Sequence, residues 1–358
     1  MIREEYYEKV HGAWLGRVAG SHFGIPIEFR PYKRIQKKYC DGGQSEITGY
    51  VKPVDPETVN DDEIYEIIGL LTLKEKWLDI TAEDIARKWD ELLYKSQYTA
   101  ERVALKNIRK GIMPPGSSSP SNDNYWYDAI GGQMKGDIWG LVAPGNPELA
   151  SELARIDGQV AHQGIGIDGE VFIATIIANA FETGDREHLI RKGLEYIDES
   201  SEYRKFVEKS IEIYENNPKW RDGREQMVDE WNRIRKRLRR EADSWKRKVI
   251  FLTGIPNVHV LPNAGIITLS LLYGQDDTDD PFGRPICLAG MMAFDTDCNC
   301  GNIGTIMGTI CGAARIPDKW KEPLNDTFNT YVRGYESWKI SDLAEQITKI
   351  GFKLQNHE

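Results

Sequence analysis

Cysteine is scarce in this chain: five in 358 residues, at Cys40, Cys287, Cys298, Cys300 and Cys311. An odd, scattered set excludes a disulfide framework and suits a reducing compartment, so a cytoplasmic location is expected. Long apolar runs are missing too. None approaches the roughly 18 residues needed to cross a bilayer, and Met1-Ile2-Arg3-Glu4-Glu5 lacks the basic-then-apolar layout of a secretory signal, so no membrane association is expected. Positive charge is in deficit. With 46 Lys and Arg against 56 Asp and Glu, the net charge of −10 would repel a phosphate backbone and argues against a nucleic-acid partner. Strand-like alternation is also rare. What remains, 40% hydrophobic and 10% aromatic residues, is too apolar for a disordered chain and enough for a sizeable core. The length allows two domains or one large helical one.

Helical periodicity fills most of the sequence. Residues 3–20 place Tyr7, Val10, Trp14 and Val18 at three- and four-residue spacing, and residues 62–77 repeat the pattern with Ile64, Ile67, Ile68 and Leu71. Thr81 followed by Asp84 has the layout of a capping box, and Asn146-Pro147 is a helix start for a segment running to about His162. A Gly-rich break at 163–169 precedes an apolar helix over 170–181. The charged stretch 203–250 reads as long-helical, and 301–314 as a helix of small residues. Residues 114–122, rich in Pro, Ser and Gly, read as a loop. The fold class is therefore mostly α. Two glycine stripes, Gly12, Gly16 and Gly20, then Gly301, Gly304, Gly308 and Gly312, call for a reason, because glycine costs a helix up to about 1 kcal/mol relative to alanine. Close helix-on-helix approach in a soluble core supplies one.

Chemistry concentrates at two acidic pairs far apart in sequence, Asp61-Asp62 after Asn60, and Asp295 and Asp297 in Asp295-Thr296-Asp297-Cys298. Each opens a predicted helix. Taken singly, either pair is the negative charge that a helix N-terminus favours. Brought together, four like charges require protons or cations, and hard oxygen-liganded ions such as Mg²⁺ are the ordinary partner.

These residues carry a family resemblance. Gly12-Ala13-Trp14-Leu15-Gly16, Gly24-Ile25-Pro26-Ile27-Glu28, Asn60-Asp61-Asp62, the helix opened by Pro147, Leu271-Leu272-Tyr273-Gly274, Asp295-Thr296-Asp297 and Ile316-Pro317-Asp318-Lys319-Trp320 come in the order and spacing of the ADP-ribosylglycohydrolases. The resemblance spans most of the chain. It implies one all-α domain over residues 1–358, an orthogonal multi-helix bundle, with the charged stretch at about 200–250 as an insertion. It also implies a centre of two Mg²⁺ ions, sometimes Mn²⁺, that hydrolyses an N- or O-glycosidic bond of ADP-ribose in a small molecule or an ADP-ribosylated protein. On this likeness Asn60, Asp61, Asp62, Asp295, Asp297 and Cys298 form the metal site, Asn60 and Cys298 standing where members commonly carry Thr. Glu28 is the acidic residue beside the metals and the scissile bond. His162 faces the ribose end, and Gly131, Gly132 and Asn122 belong to the substrate loop. The chemistry is consistent: paired metals roughly 3.5–4 Å apart hold a sugar diol and orient water, and carboxylates stabilise an oxocarbenium-like state.

The sequence leaves two other readings open. One is the same hydrolytic chemistry on another nucleoside or N-glycoside, since the segment 122–137 lacks the usual loop pattern. The other is a non-catalytic nucleotide-binding relative. Other signals read as structural. Cys298 and Cys300 have no accompanying Cys or His pair at zinc spacing. Residues 275–280 resemble a calcium loop without its glycine and terminal glutamate. Residues 233–248 are basic and read as a solvated helical face.

Overall fold

The computed structural model describes residues 1–95, 97–253, 255–275 and 279–356. Helices dominate it, as the periodicity predicts. The first, Arg3–Gly24, is buried along nearly all of its second half, and the helix Thr296–Cys311 lies antiparallel against it. The two glycine stripes form this seam. A Cβ on Gly12 would strike the Gly308 carbonyl, one on Gly16 the Gly304 carbonyl, and one on Gly20 the Cys300 carbonyl. Gly24 continues the series against Thr296 and Asp297. Backbones therefore touch where side chains would ordinarily hold helices 8–10 Å apart.

Helices Asp62–Lys76, Ala82–Leu92, Pro147–Gly158, Ile165–Ala180, Glu202–Asn216, Val260–Tyr273 and Gly283–Met292 pack around this pair, and Ile340–Asn356 closes the C-terminal end. The core they share includes Trp14, Trp89, Trp139, Trp231 and Trp320, all fully buried. Strand is confined to a short antiparallel pair, Thr327–Asn329 with Ser337–Lys339, in which Phe328 faces Trp338. Among the described residues no helix is long and apolar enough to cross a membrane.

The caps follow sequence. Asp84 N–H donates to Thr81 Oγ1 at 3.2 Å while Thr81 N–H donates to Asp84 Oδ2 at 3.1 Å, and Leu149 N–H donates to Asn146 Oδ1 at 3.1 Å. Boundaries differ in places. The Pro147 helix ends at Gly158, and the next begins at Ile165 instead of residue 170, directly after Gly164 at φ +51°. The charged stretch is not one helix but three, Glu202–Asn216, Trp220–Glu241 and Trp245–Thr253, because Asn217-Pro218 cannot continue a helix and Ala242 turns extended. Its basic residues are partly paired: Arg233 with Glu230, Arg237 with Glu202, Lys246 with Asp123 and Arg247 with Asp128. Of the segment 275–280, residues 276–278 lie outside those described.

Candidate active site

The seam brings the acidic pairs together. The first helix runs out at Gly24 into a single 3-10 turn, Ile25–Ile27, and Glu28 follows. The antiparallel helix begins at that same end, so Asp295 stands at its N-cap position and Asp297 in its first turn, where the positive end of the helix dipole favours a carboxylate. Two bonds lock the junction: Thr296 Oγ1 donates to the Gly24 carbonyl at 2.9 Å, and Phe29 N–H donates to the Phe294 carbonyl at 3.2 Å. Phe29, Ala293 and Phe294 have φ of 51°, 71° and 73°, left-handed backbone that costs roughly 1–3 kcal/mol per residue away from glycine and clusters at functional sites. Asn263 steadies the same junction. Its Oδ1 accepts from Asp295 N–H at 3.2 Å and Asn299 Nδ2 at 2.7 Å, while its amide donates to the carbonyls of Asn257 and His259.

Asp61 and Asp62 arrive at the start of the Asp62–Lys76 helix. Two sets of ligand atoms then converge, each within 4.8 Å of one another: Glu28, Asp295 and Asp297 in one, Asp62, Asp297 and Cys298 in the other. Asp297 belongs to both. Glu28, Asp295, Asp297 and Cys298, with Asn60 and Asp61, line a cleft of about 500 Å³ whose mouth carries the exposed rings of Phe29 and Tyr98, and Asp62 lies buried behind its wall.

One permanent positive charge stands behind the cluster. Arg17, 1% exposed on the first helix, places Nη2 3.1 Å from Asp62 Oδ2, Nε 3.1 Å from Glu66 Oε1 and Nη1 2.9 Å from Asp137 Oδ2. Asp137 also accepts from Asn302 at 2.7 Å and from Thr305. One guanidinium cannot balance so many carboxylates. Burial, and then Asp297 and Asp61, push the Glu28 carboxyl up to about 8. Burial, Asp297 and Glu101 do the same to Asp61, which also reaches about 8. Asp62 and Asp295 are raised for the same first reason, burial, with Arg17 pulling Asp62 part of the way back. The cluster thus holds protons at neutral pH unless cations take their place. The donor set fits such cations: several carboxylate oxygens face the cleft, and Asp297 Oδ1 is buried with no hydrogen-bond partner.

The remaining sequence candidates divide. Gly131 lines the cleft, on the short helix Gly131–Met134. Gly132 is buried behind it, against the Gly166 carbonyl. His162 does not face the cleft. It is fully buried, and its Nε2 lies 2.7 Å from Oε1 of Glu101, a carboxylate that does line the cleft; the imidazole thus holds Glu101 in place from behind. Although burial alone would raise the Glu101 carboxyl, His162 holds it below its usual range. Asn122 lies outside the cleft wall, bonded to the Gly116 carbonyl at 2.8 Å.

Three residues of the site escaped sequence reasoning. Arg17 sits beside Gly16 as one polar residue in a small-residue stripe, and Glu101 is one acid among many on a helix surface by pattern. Asn263 is hidden in an apolar run. Local sequence carries no signal for any of them.

Over residues 2–353 the sequence matches the model of the ADP-ribosylglycohydrolase family. No protein of curated function matches it. Among solved structures, an ADP-ribosylglycohydrolase-related protein complex aligns with a TM-score of 0.59 at 14% identity, covering 97% of this chain and 99% of that one. At that identity the likeness concerns the fold.

Proposed function

Because the chain belongs to the ADP-ribosylglycohydrolase family, all-α hydrolases of glycosidic bonds, we propose that it is a Mg²⁺-dependent enzyme cleaving the ribosyl bond of an ADP-ribosyl conjugate in the cleft between Glu28 and Asp61. The observation that carries this reading is the convergence of Glu28, Asp61, Asp295 and Asp297 on one cleft, with Asp62 behind them paired to the buried Arg17.

Asp61, Asp62, Asp295 and Asp297 would hold the cations, with Asn60 assisting through its amide oxygen. Bound there, Mg²⁺ supplies Lewis acidity toward sugar hydroxyls and a water made acidic enough to attack. The chain's own groups do the rest. Glu28, at the edge of the cluster and raised to about 8, holds a proton at neutral pH and delivers it from its carboxyl to the leaving atom. The negative charge of the remaining carboxylates favours the oxocarbenium-like state at the anomeric carbon. Phe29 and Tyr98 offer aromatic faces to a planar base at the mouth.

The deciding experiment follows release of ADP-ribose from mono-ADP-ribosylated arginine and serine peptides. Release with Mg²⁺ that stops with EDTA and in Asp297→Ala is the expected result, and identifies the linkage. No release from either peptide, in protein that still binds Mg²⁺ by calorimetry, would overturn the substrate and move the search to nucleosides.

A further inference from the structure

One ligand set in the cleft differs in chemistry from the other. Glu28, Asp295 and Asp297 offer oxygen alone, whereas Asp62 and Asp297 are joined by the Cys298 thiol. Cys298 Sγ donates to Asp62 Oδ1 at 3.2 Å, so its proton lies between two atoms that a cation would share. A second sulfur stands beside it: Met134 Sδ is 3.9 Å from Cys298 Sγ, and both residues line the cleft. In the same set, Asp297 Oδ1 is buried without a partner. A thiol, a thioether and two carboxylates do not make a Mg²⁺ site. Hard ions take oxygen, and thiolate sulfur selects borderline and soft ones.

We propose that the position formed by Asp62, Asp297 and Cys298, with Met134 alongside, takes a borderline transition ion of the Zn²⁺ or Co²⁺ type through the Cys298 sulfur, leaving the oxygen-only side of the cluster, at Asp295 and Asp297, to Mg²⁺. The inference rests on the reading of the cleft as a metal-dependent hydrolytic centre and specifies which metals occupy it. On binding, the Cys298 S–H bond breaks, its electron pair forms the sulfur–metal bond, and the proton leaves to solvent; no oxidation state changes. The centre is therefore of mixed hardness, and Mg²⁺ alone fills only part of it. Arg17 holds the other oxygen of Asp62 and fixes the direction from which that carboxylate meets the ion.

Cobalt is a suitable probe because a cobalt–thiolate bond has its own charge-transfer absorption in the near ultraviolet. Metal-free protein titrated with Co²⁺ is expected to develop that band, and Cys298→Thr to lose it. In the same variant Zn²⁺ affinity, read by calorimetry, falls at least about tenfold while Mg²⁺ affinity does not fall. Met134→Leu, which conserves volume, retains the band with a shifted maximum and guards against a folding artefact. Co²⁺ bound without a charge-transfer band, or with a band that survives in Cys298→Thr, would overturn the mixed centre while leaving the hydrolytic reading intact. Protein that binds no divalent ion at all would overturn both.

Discussion

Glu28 and Arg17 sit on opposite sides of the carboxylate cluster, and their roles separate cleanly at the level of the single residue. Glu28 faces the cleft and carries the transferable proton, so Glu28→Gln keeps the volume and removes the acid. We expect kcat to fall about 10²- to 10⁴-fold with little change in KM, which steady-state kinetics would read directly. A change confined to KM would make Glu28 a binding group only. Arg17 does not line the cleft but neutralises Asp62, Glu66 and Asp137. Arg17→Met leaves those buried carboxylates uncompensated and should cost about 3–5 kcal/mol in denaturant unfolding. Unfolding free energy unchanged in the variant would show that the carboxylates were already protonated. The acidic pairs and Glu28 were legible in sequence because they stand in the order and spacing of a known family; singly, each pair is the charge any helix start favours. His162 was legible as a site residue only by position. Its actual role, holding Glu101 from behind the wall, depends on a contact across 61 residues that no local pattern records.

At the level of elements, the glycine seam is the part of the fold that sequence revealed most directly. Two helices with glycine every three or four residues have no stability of their own to offer, and pairing them is the explanation that the structure bears out. The stripe's partner in register was not legible, nor was Gly24 as its last member. Gly304→Ala tests the seam, because the new methyl would overlap the Gly16 carbonyl. We expect a loss of about 3 kcal/mol, the upper end for overpacking, together with weakened cation binding in calorimetry. Gly49→Ala, which meets nothing within 4 Å, should stay within about 0.5 kcal/mol of the parent. Equal effects from the two substitutions would remove the seam from the explanation. The break of the charged stretch into three helices was hidden because its amphipathic periodicity continues past Pro218, while the backbone cannot.

For the molecule as a whole, the raised carboxyls make stability depend on pH and metal together. An acid whose folded pKa exceeds its unfolded value keeps its proton in the native state after the unfolded chain has lost it. For Asp61 and Glu28 that window runs from their ordinary values near 4 up to about 8. Native protein binds more protons there, so in EDTA the melting temperature should fall as pH rises through the window. Mg²⁺ held by the aspartates replaces their protons, and at 100 times its dissociation constant should add about 2.7 kcal/mol, while at a fixed Mg²⁺ concentration the gain is largest at the alkaline end. Thermal melts at pH 5 to 8.5 with and without Mg²⁺ would read this; an EDTA curve that is flat or rises would contradict the burial of uncompensated charge. The seam also has a mechanical meaning. Peptide groups in contact have no rotamers with which to absorb strain, unlike the leucines and isoleucines elsewhere in the core. The distance between the Gly24 and Asp297 main chains is thus set by peptide thickness, a gauge block in an otherwise deformable body on which the Glu28 and Asp297 carboxylates are mounted.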